Sequence, residues 1–187
     1  MRKPEEIEVK IAVESIPKIR ARLREAGFRI VKARVFESNT VLDDENGSLK
    51  ARNLLLRVRT AGKAITCTFK GKEVPGPHKR REEREFHPDD LEACLALFKG
   101  LGYEPSFRYE KYRTEFAREG EAGVAVVDET PIGNFIELEG PARWIDKTAR
   151  ELGFSRDDYI GLSYGRLFEQ WCAERQIESR NMSFGGV

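Results

Sequence analysis

Three pairs of glutamates two residues apart each lead into a helix-like stretch that ends in glycine and an aromatic: Glu6 and Glu8 in E-I-E-V-K, Glu83 and Glu85 in R-E-E-R-E-F, and Glu137 and Glu139 in E-L-E-G. Clustered carboxylate oxygens are the ligands that hard divalent cations such as Mg²⁺ and Mn²⁺ require. Two carboxylates on one side of a strand stand about 7 Å apart and repel by roughly 2 to 3 kcal/mol at an effective dielectric near ~20. Several such pairs in one place therefore need compensating charge. Lys10 follows the first pair, Arg57 and Arg59 lie in L-L-L-R-V-R-T, Lys70 ends T-C-T-F-K, and Lys111 and Arg113 sit in E-K-Y-R. Lys and Arg beside metal-binding carboxylates suit one kind of ligand, a chain of linked phosphates, which Arg grips bidentately and Lys meets as a point charge.

These residues need strands to position them. Successive strand side chains point to opposite faces, so Ile7, Val9, Ile136 and Leu138 share the face away from the glutamates. Leu54, Leu56 and Val58 likewise oppose the two arginines, and Ile65, Cys67 and Phe69 oppose Thr66, Thr68 and Lys70. The repeated instruction is apolar outward and charged inward, the inverse of a small barrel packed with apolar side chains. Arg80, Glu82 and Arg84 put charge on the second face of strand 79–86 as well, so part of that run is expected to be exposed.

Alternation predicts strands over 5–13, about 29–42, 54–60, 64–70, 79–86, 107–117, 123–128 and 134–139. A helix follows Ser15, a good N-cap, with Ile16, Ile19, Leu23 and Ala26 on one face; others are predicted near 89–99 behind Asp89 or Asp90, over 142–152 and over 162–175. Each glutamate pair leads through a helical stretch to a glycine and an aromatic: Gly27-Phe28, Gly102-Tyr103 and Gly153-Phe154. The first two copies keep a nearly constant offset, which points to an internal duplication. The expected fold class is α+β, a closed eight-stranded antiparallel β-barrel with helices packed outside. Residues 1–175 form that domain, and residues 176–187 are expected to be a flexible tail with little to bury.

Composition narrows the function classes. The 187 residues are 40% hydrophobic with no linker-like stretch, enough for one domain with a sizeable core. Lys and Arg number 33 against 32 Asp and Glu, a net charge of +1, so no nucleic-acid partner is expected. No apolar run approaches the ~20 residues of a membrane helix, and the N-terminus lacks a signal-peptide core, so no membrane partner and a cytoplasmic location are expected. Three scattered cysteines and two histidines argue against a zinc site or an imidazole-assisted nucleophile. The cysteines are expected to be reduced and mostly buried.

The ordered set of motifs resembles the CYTH family, the triphosphate tunnel metalloenzymes, which include class IV adenylate cyclases, thiamine triphosphatases and inorganic tripolyphosphatases. The matching residues are E-x-E-x-K (Glu6, Glu8, Lys10), R-x-R (Arg57, Arg59), T-F-K-G (Lys70), R-x-E-x-E (Arg81, Glu83, Glu85), K-x-R (Lys111, Arg113), Asp128, and G-x-F-x-E-x-E (Gly133, Phe135, Glu137, Glu139). The resemblance runs from residue 5 to about 172. It implies Mg²⁺ or Mn²⁺, two ions in all, with Glu6, Glu8, Glu137 and Glu139 as principal ligands and Asp128 as a further one. Lys10, Glu83 and Glu85 would serve catalysis, the two glutamates by assisting the second ion or orienting the nucleophile. Lys10, Arg57, Arg59, Lys70, Arg81, Lys111 and Arg113 would hold the phosphates. Thiamine triphosphatases also use a lysine near the C-terminus, whereas no lysine here follows Lys147, and Arg166 is the candidate substitute.

The resemblance thus implies a small-molecule triphosphate partner and, first, a triphosphatase. An adenylate cyclase converting ATP to cyclic AMP and pyrophosphate is the alternative, and a non-catalytic polyphosphate-binding module a third. A homodimer is compatible with all of them.

Overall fold

The computed structural model describes residues 5–186. Nine strands are present: β1 (Glu5–Val13), β2 (Arg29–Asp43), β3 (Leu55–Ala61), β4 (Ala64–Lys70), β5 (Lys79–Phe86), β6 (Glu104–Ala117), β7 (Val124–Thr130), β8 (Gly133–Glu139) and β9 (Asn181–Met182). The helices are α1 (Ile16–Glu25), α2 (Ser48–Ala51), α3 (Leu91–Gly100), α4 (Ala142–Glu151) and α5 (Tyr164–Arg175), with a 3₁₀ turn over Arg156–Asp158. The first eight strands run in the order β2-β3-β4-β5-β1-β8-β7-β6, and β6 returns to β2, so the antiparallel sheet closes on itself.

The first and second glutamate repeats form equivalent units, β1-α1-β2 and β5-α3-β6, and their strands pair with one another: β1 with β5, and β2 with β6, both antiparallel. All three glycine–aromatic signatures end helices in one way. Gly27, Gly102 and Gly153 sit at φ of +86°, +86° and +81°, a region glycine enters without steric cost. The following Phe28, Tyr103 and Phe154 each donate a backbone N–H, at 2.9 Å, to the residue five earlier: Leu23, Phe98 and Ala149. This left-handed stop satisfies carbonyls that a helix end leaves open and turns the chain back toward the barrel. The N-terminal signals also operate: Ser15 caps α1, Asp90 rather than Asp89 caps α3, and Ser163 caps α5.

The apolar core lies outside the barrel wall. Val9 and Ile11 of β1, Phe116 of β6, Val127 of β7, and Ile136 and Leu138 of β8 pack against Ile19 and Leu23 of α1, Ile145 of α4 and Leu152 at the C-cap of α4. Each such side chain contributes about 1.5–3 kcal/mol on burial. α3 covers β2, β3 and β4 through Leu42, Val58, Cys67 and Cys94. All three cysteines are free and buried, with the Cys67 and Cys94 sulfurs 3.1 Å apart. α5 joins a third cluster, Tyr109, Phe135, Tyr164, Phe168 and Met182, at one end of the lumen.

The terminal segment has more to bury than its composition suggests. Asn181 and Met182 pair in parallel with Arg108 and Tyr109 of β6, and Met182 is fully buried. Strand 79–86 is charged on both faces as expected: Arg80 pairs with Glu5 at 2.9 Å on the outside and Arg84 with Glu82 at 2.7 Å. Among the described residues, no helix is long and apolar enough to cross a membrane.

Candidate active site

The alternating strands deliver their charged side chains into one cavity of about 1050 Å³. Its wall carries Glu6, Glu8 and Lys10 from β1, Arg57 and Arg59 from β3, Lys70 from β4, Lys79, Arg81, Glu83 and Glu85 from β5, Lys111 and Arg113 from β6, and Glu137 and Glu139 from β8. Every charged site residue expected from the sequence thus faces the lumen except Asp128, which lies in the wall behind it.

One side of the lumen is acidic. Carboxylate oxygens of Glu6, Glu8 and Glu139 all lie within 4.8 Å of one another. Burial, followed by repulsion from Glu8, pushes the Glu6 carboxyl up to about 7. Burial is also the main reason Glu139 is pushed up to about 8, with Glu137, Glu8 and Glu6 adding repulsion, although a third of its side-chain surface meets solvent. Glu8 goes the other way: burial would raise it, but the ammonium groups of Lys79, 3.0 Å away, Lys70 and Lys10 together outweigh that and hold it at about 2. Lys70 donates to Glu6 at 2.6 Å and lies 3.2 Å from Glu83. Its ammonium is stabilised against burial by Glu8 and Glu6.

Beside this cluster lies a buried ion-pair network. Asp128, fully buried, accepts hydrogen bonds from Arg113 at 2.8 and 2.7 Å, from Lys111 at 2.9 Å and from the Tyr164 hydroxyl at 2.8 Å. Burial opposes its charge, yet Arg113 and Lys111 outweigh burial and lower its pKa. Glu137 is held between Lys10, at 3.2 Å, and Arg113, and is likewise lowered well below the carboxylate range despite burial. Lys10 also donates to the Leu162 carbonyl at 3.2 Å and stands 4.2 Å over the Tyr164 ring. Arg57 donates to the Tyr109 hydroxyl at 3.1 Å and to Thr68 at 3.2 Å, and Thr68 donates to Glu85 at 2.8 Å. Arg81 approaches Glu6 to 4.0 Å.

The expected ligand set therefore divides. Glu6, Glu8 and Glu139 converge, while Glu137 and Asp128 are engaged by cations. A cation with ligands at about 2.1 Å spans at most about 4.2 Å between opposite oxygens, so the three-carboxylate cluster needs only slight contraction to hold Mg²⁺ or Mn²⁺. The donor set, all carboxylate oxygen, fits those ions. Glu83 is partly buried beside Lys70, and Glu85 is exposed at the lumen rim.

Four residues in or directly behind the lumen wall fall outside the motifs read from the sequence. Glu37, 1% exposed, faces Arg59 at 3.5 Å, Lys111 at 3.7 Å and Arg113 at 4.0 Å. Lys79 partners Glu8, and burial depresses its pKa. Tyr109 and Tyr164 anchor Arg57 and Asp128 through their hydroxyls. The Lys79 signal was its place two residues before the R-x-E-x-E run.

A sequence profile described as the CYTH domain matches residues 4–158. The chain belongs to the CYTH family. CYTH enzymes are adenylate cyclases or triphosphatases and depend on divalent metal. A Methanocaldococcus jannaschii protein named as a candidate adenylate cyclase is 27% identical over 172 residues, 87% of this chain and 97% of that protein. Two solved structures share the fold. One, a candidate adenylate cyclase from Vibrio parahaemolyticus, has a TM-score of 0.78 at 17% identity, covering 90% of this chain and 99% of that one. The other, a Hippeastrum protein named for adenylyl cyclase and described as revealing a dominant triphosphatase activity, has a TM-score of 0.66 at 16% identity over 88% and 95% of the two chains.

Proposed function

We propose that this CYTH protein hydrolyses a triphosphate, with inorganic tripolyphosphate as the leading substrate. The observation that carries the reading is one lumen in which a three-carboxylate cluster stands among inward-facing Lys and Arg side chains. Arg57, Arg59, Arg81, Arg113, Lys70 and Lys111 would grip the phosphate chain, and Lys10 would meet the phosphoryl oxygens where charge develops. Their buried acidic partners hold them in place beforehand, so little reorganisation is needed when the anion enters. Glu6, Glu8 and Glu139 would hold Mg²⁺ or Mn²⁺, which when bound offsets phosphate charge and lowers the pKa of water. Glu83 and Glu85 stand where they could orient the attacking water and accept its proton. In-line attack on the terminal phosphorus breaks its bridging bond and gives orthophosphate and pyrophosphate.

Adenylate cyclase activity is the second reading. It is supported by the names of the relatives and by the apolar part of the cavity wall, where Val41, Leu54, Leu55 and Phe107 could receive a base. The deciding experiment incubates pure protein with tripolyphosphate, ATP or thiamine triphosphate, each with Mg²⁺ or Mn²⁺, and separates the products. Orthophosphate is the expected product; cyclic AMP would replace hydrolysis with cyclisation, and tight retention without any product would leave a polyphosphate-binding module.

A further inference from the structure

Lys79 is a buried cation of the lumen wall that the proposed phosphate-gripping set does not include. It opens β5 directly across from Glu8 in the β1–β5 register, lines the cavity, and is 8% exposed at its side chain. Its ammonium lies 3.0 Å from Glu8 Oε1, and Glu8 belongs to the three-carboxylate cluster. One carboxylate thus has two claims on it. A buried ammonium that loses its only close carboxylate is strongly destabilised unless another anion takes its place. The anion this lumen is built to admit is a phosphate chain.

We propose that Lys79 is a phosphate-binding residue held in reserve by Glu8: it neutralises Glu8 in the metal-free protein and passes to a phosphate oxygen when a divalent cation claims that carboxylate. The proposal rests on the triphosphate reading. It assigns Lys79 two measurable roles, as a competitor of the metal before substrate arrives and as a ligand of the substrate afterwards.

Both roles are tested with Lys79→Met and Lys79→Arg. Mn²⁺ binding to the substrate-free protein, followed by electron paramagnetic resonance, is expected to tighten about fivefold in Lys79→Met and to stay near wild type in Lys79→Arg. In Mg²⁺ with tripolyphosphate, Lys79→Met is expected to raise KM about tenfold with kcat within about threefold, and Lys79→Arg to restore most of the loss. Equal or weaker Mn²⁺ affinity in Lys79→Met overturns the competition, and an unchanged KM overturns the phosphate contact. If Lys79→Met melts far below wild type, Lys79→Gln carries the same two readouts. A wild-type protein that neither binds nor hydrolyses tripolyphosphate defeats the triphosphate reading alone, because the Mn²⁺ titration still decides whether Lys79 and the metal compete.

Discussion

Asp128 shows how one side chain can organise a site without lining it. Fully buried, it fixes Lys111, Arg113 and Tyr164, so removing it leaves Lys111 without its nearest anion and Arg113 with Glu137 as its one close partner among the described residues. Breaking such a buried pair costs about 3–5 kcal/mol, and Asp128→Ala should lose that much in a urea titration; a loss below about 1 kcal/mol would mean the network tolerates its absence. Glu8→Gln tests the acidic side. It should abolish turnover, and the circular dichroism spectrum should remain that of a folded protein. Retained activity would remove Glu8 from the chemistry. The residues that the sequence left unread have physical reasons for their silence. Glu37 is flanked by Phe36 and Ser38 and followed by Asn39 and Thr40, so polar groups fall on both faces and no alternation singles it out. Lys79 sits among Arg80 and Arg81, where either face of the strand is charged. Tyr164 joins the lumen from a helix, and helical spacing alone cannot show that a hydroxyl reaches across to β7.

At the scale of elements, most strands were legible because they carry an apolar side outward and a charged side inward, β5 with charge on both faces being the exception. That contrast is as strong in β1, β3, β4 and β8 as any core pattern. The helix stops were legible too, since Gly27, Gly102 and Gly153 all adopt the left-handed conformation their position demands. What alternation could not reveal is β9, whose two residues pair with a strand distant in sequence. The seat of α4 is also invisible from periodicity, because it depends on two glycines meeting one ring. A Cβ placed on Gly123 would come 2.2 Å from the Trp144 ring, and one on Gly140, at φ +152°, would meet the Gly123 Cα at 2.9 Å. Gly123→Ala must therefore displace Trp144, which donates to Glu121 and packs on Phe28. The expected cost is about 1–3 kcal/mol in chemical denaturation, with a change in tryptophan fluorescence of the native state; an unchanged midpoint would show that α4 is free to shift.

For the whole molecule, the lumen couples stability to pH and metal. Glu6 and Glu139 rise from 4.5 to about 7 and about 8 in the folded protein, so between these values the folded chain holds protons that the unfolded chain has released. Their contribution is present below pH 4.5 and is lost as pH rises through 7 and 8. Glu8, held at about 2, acts in the opposite sense, and its contribution disappears as pH falls from 4.5 toward 2. Tm of the metal-free protein should accordingly fall from about pH 6 to about pH 9, and millimolar Mg²⁺ should lift the alkaline side most, since it binds the ionised carboxylates. A Tm independent of pH and Mg²⁺ would contradict a cation site at this cluster.

Closure of the barrel also dictates an order of events during synthesis. β1 bonds to β5 on one edge and β8 on the other, so the segment bearing Glu6 and Glu8 emerges from the ribosome long before its second neighbour exists. At translation speeds of roughly 5–20 residues per second, that edge waits on the order of ten seconds. The nascent chain spends this interval with one edge of β1 unpaired, and its carboxylates Glu5, Glu6 and Glu8 keep that edge from recruiting other chains.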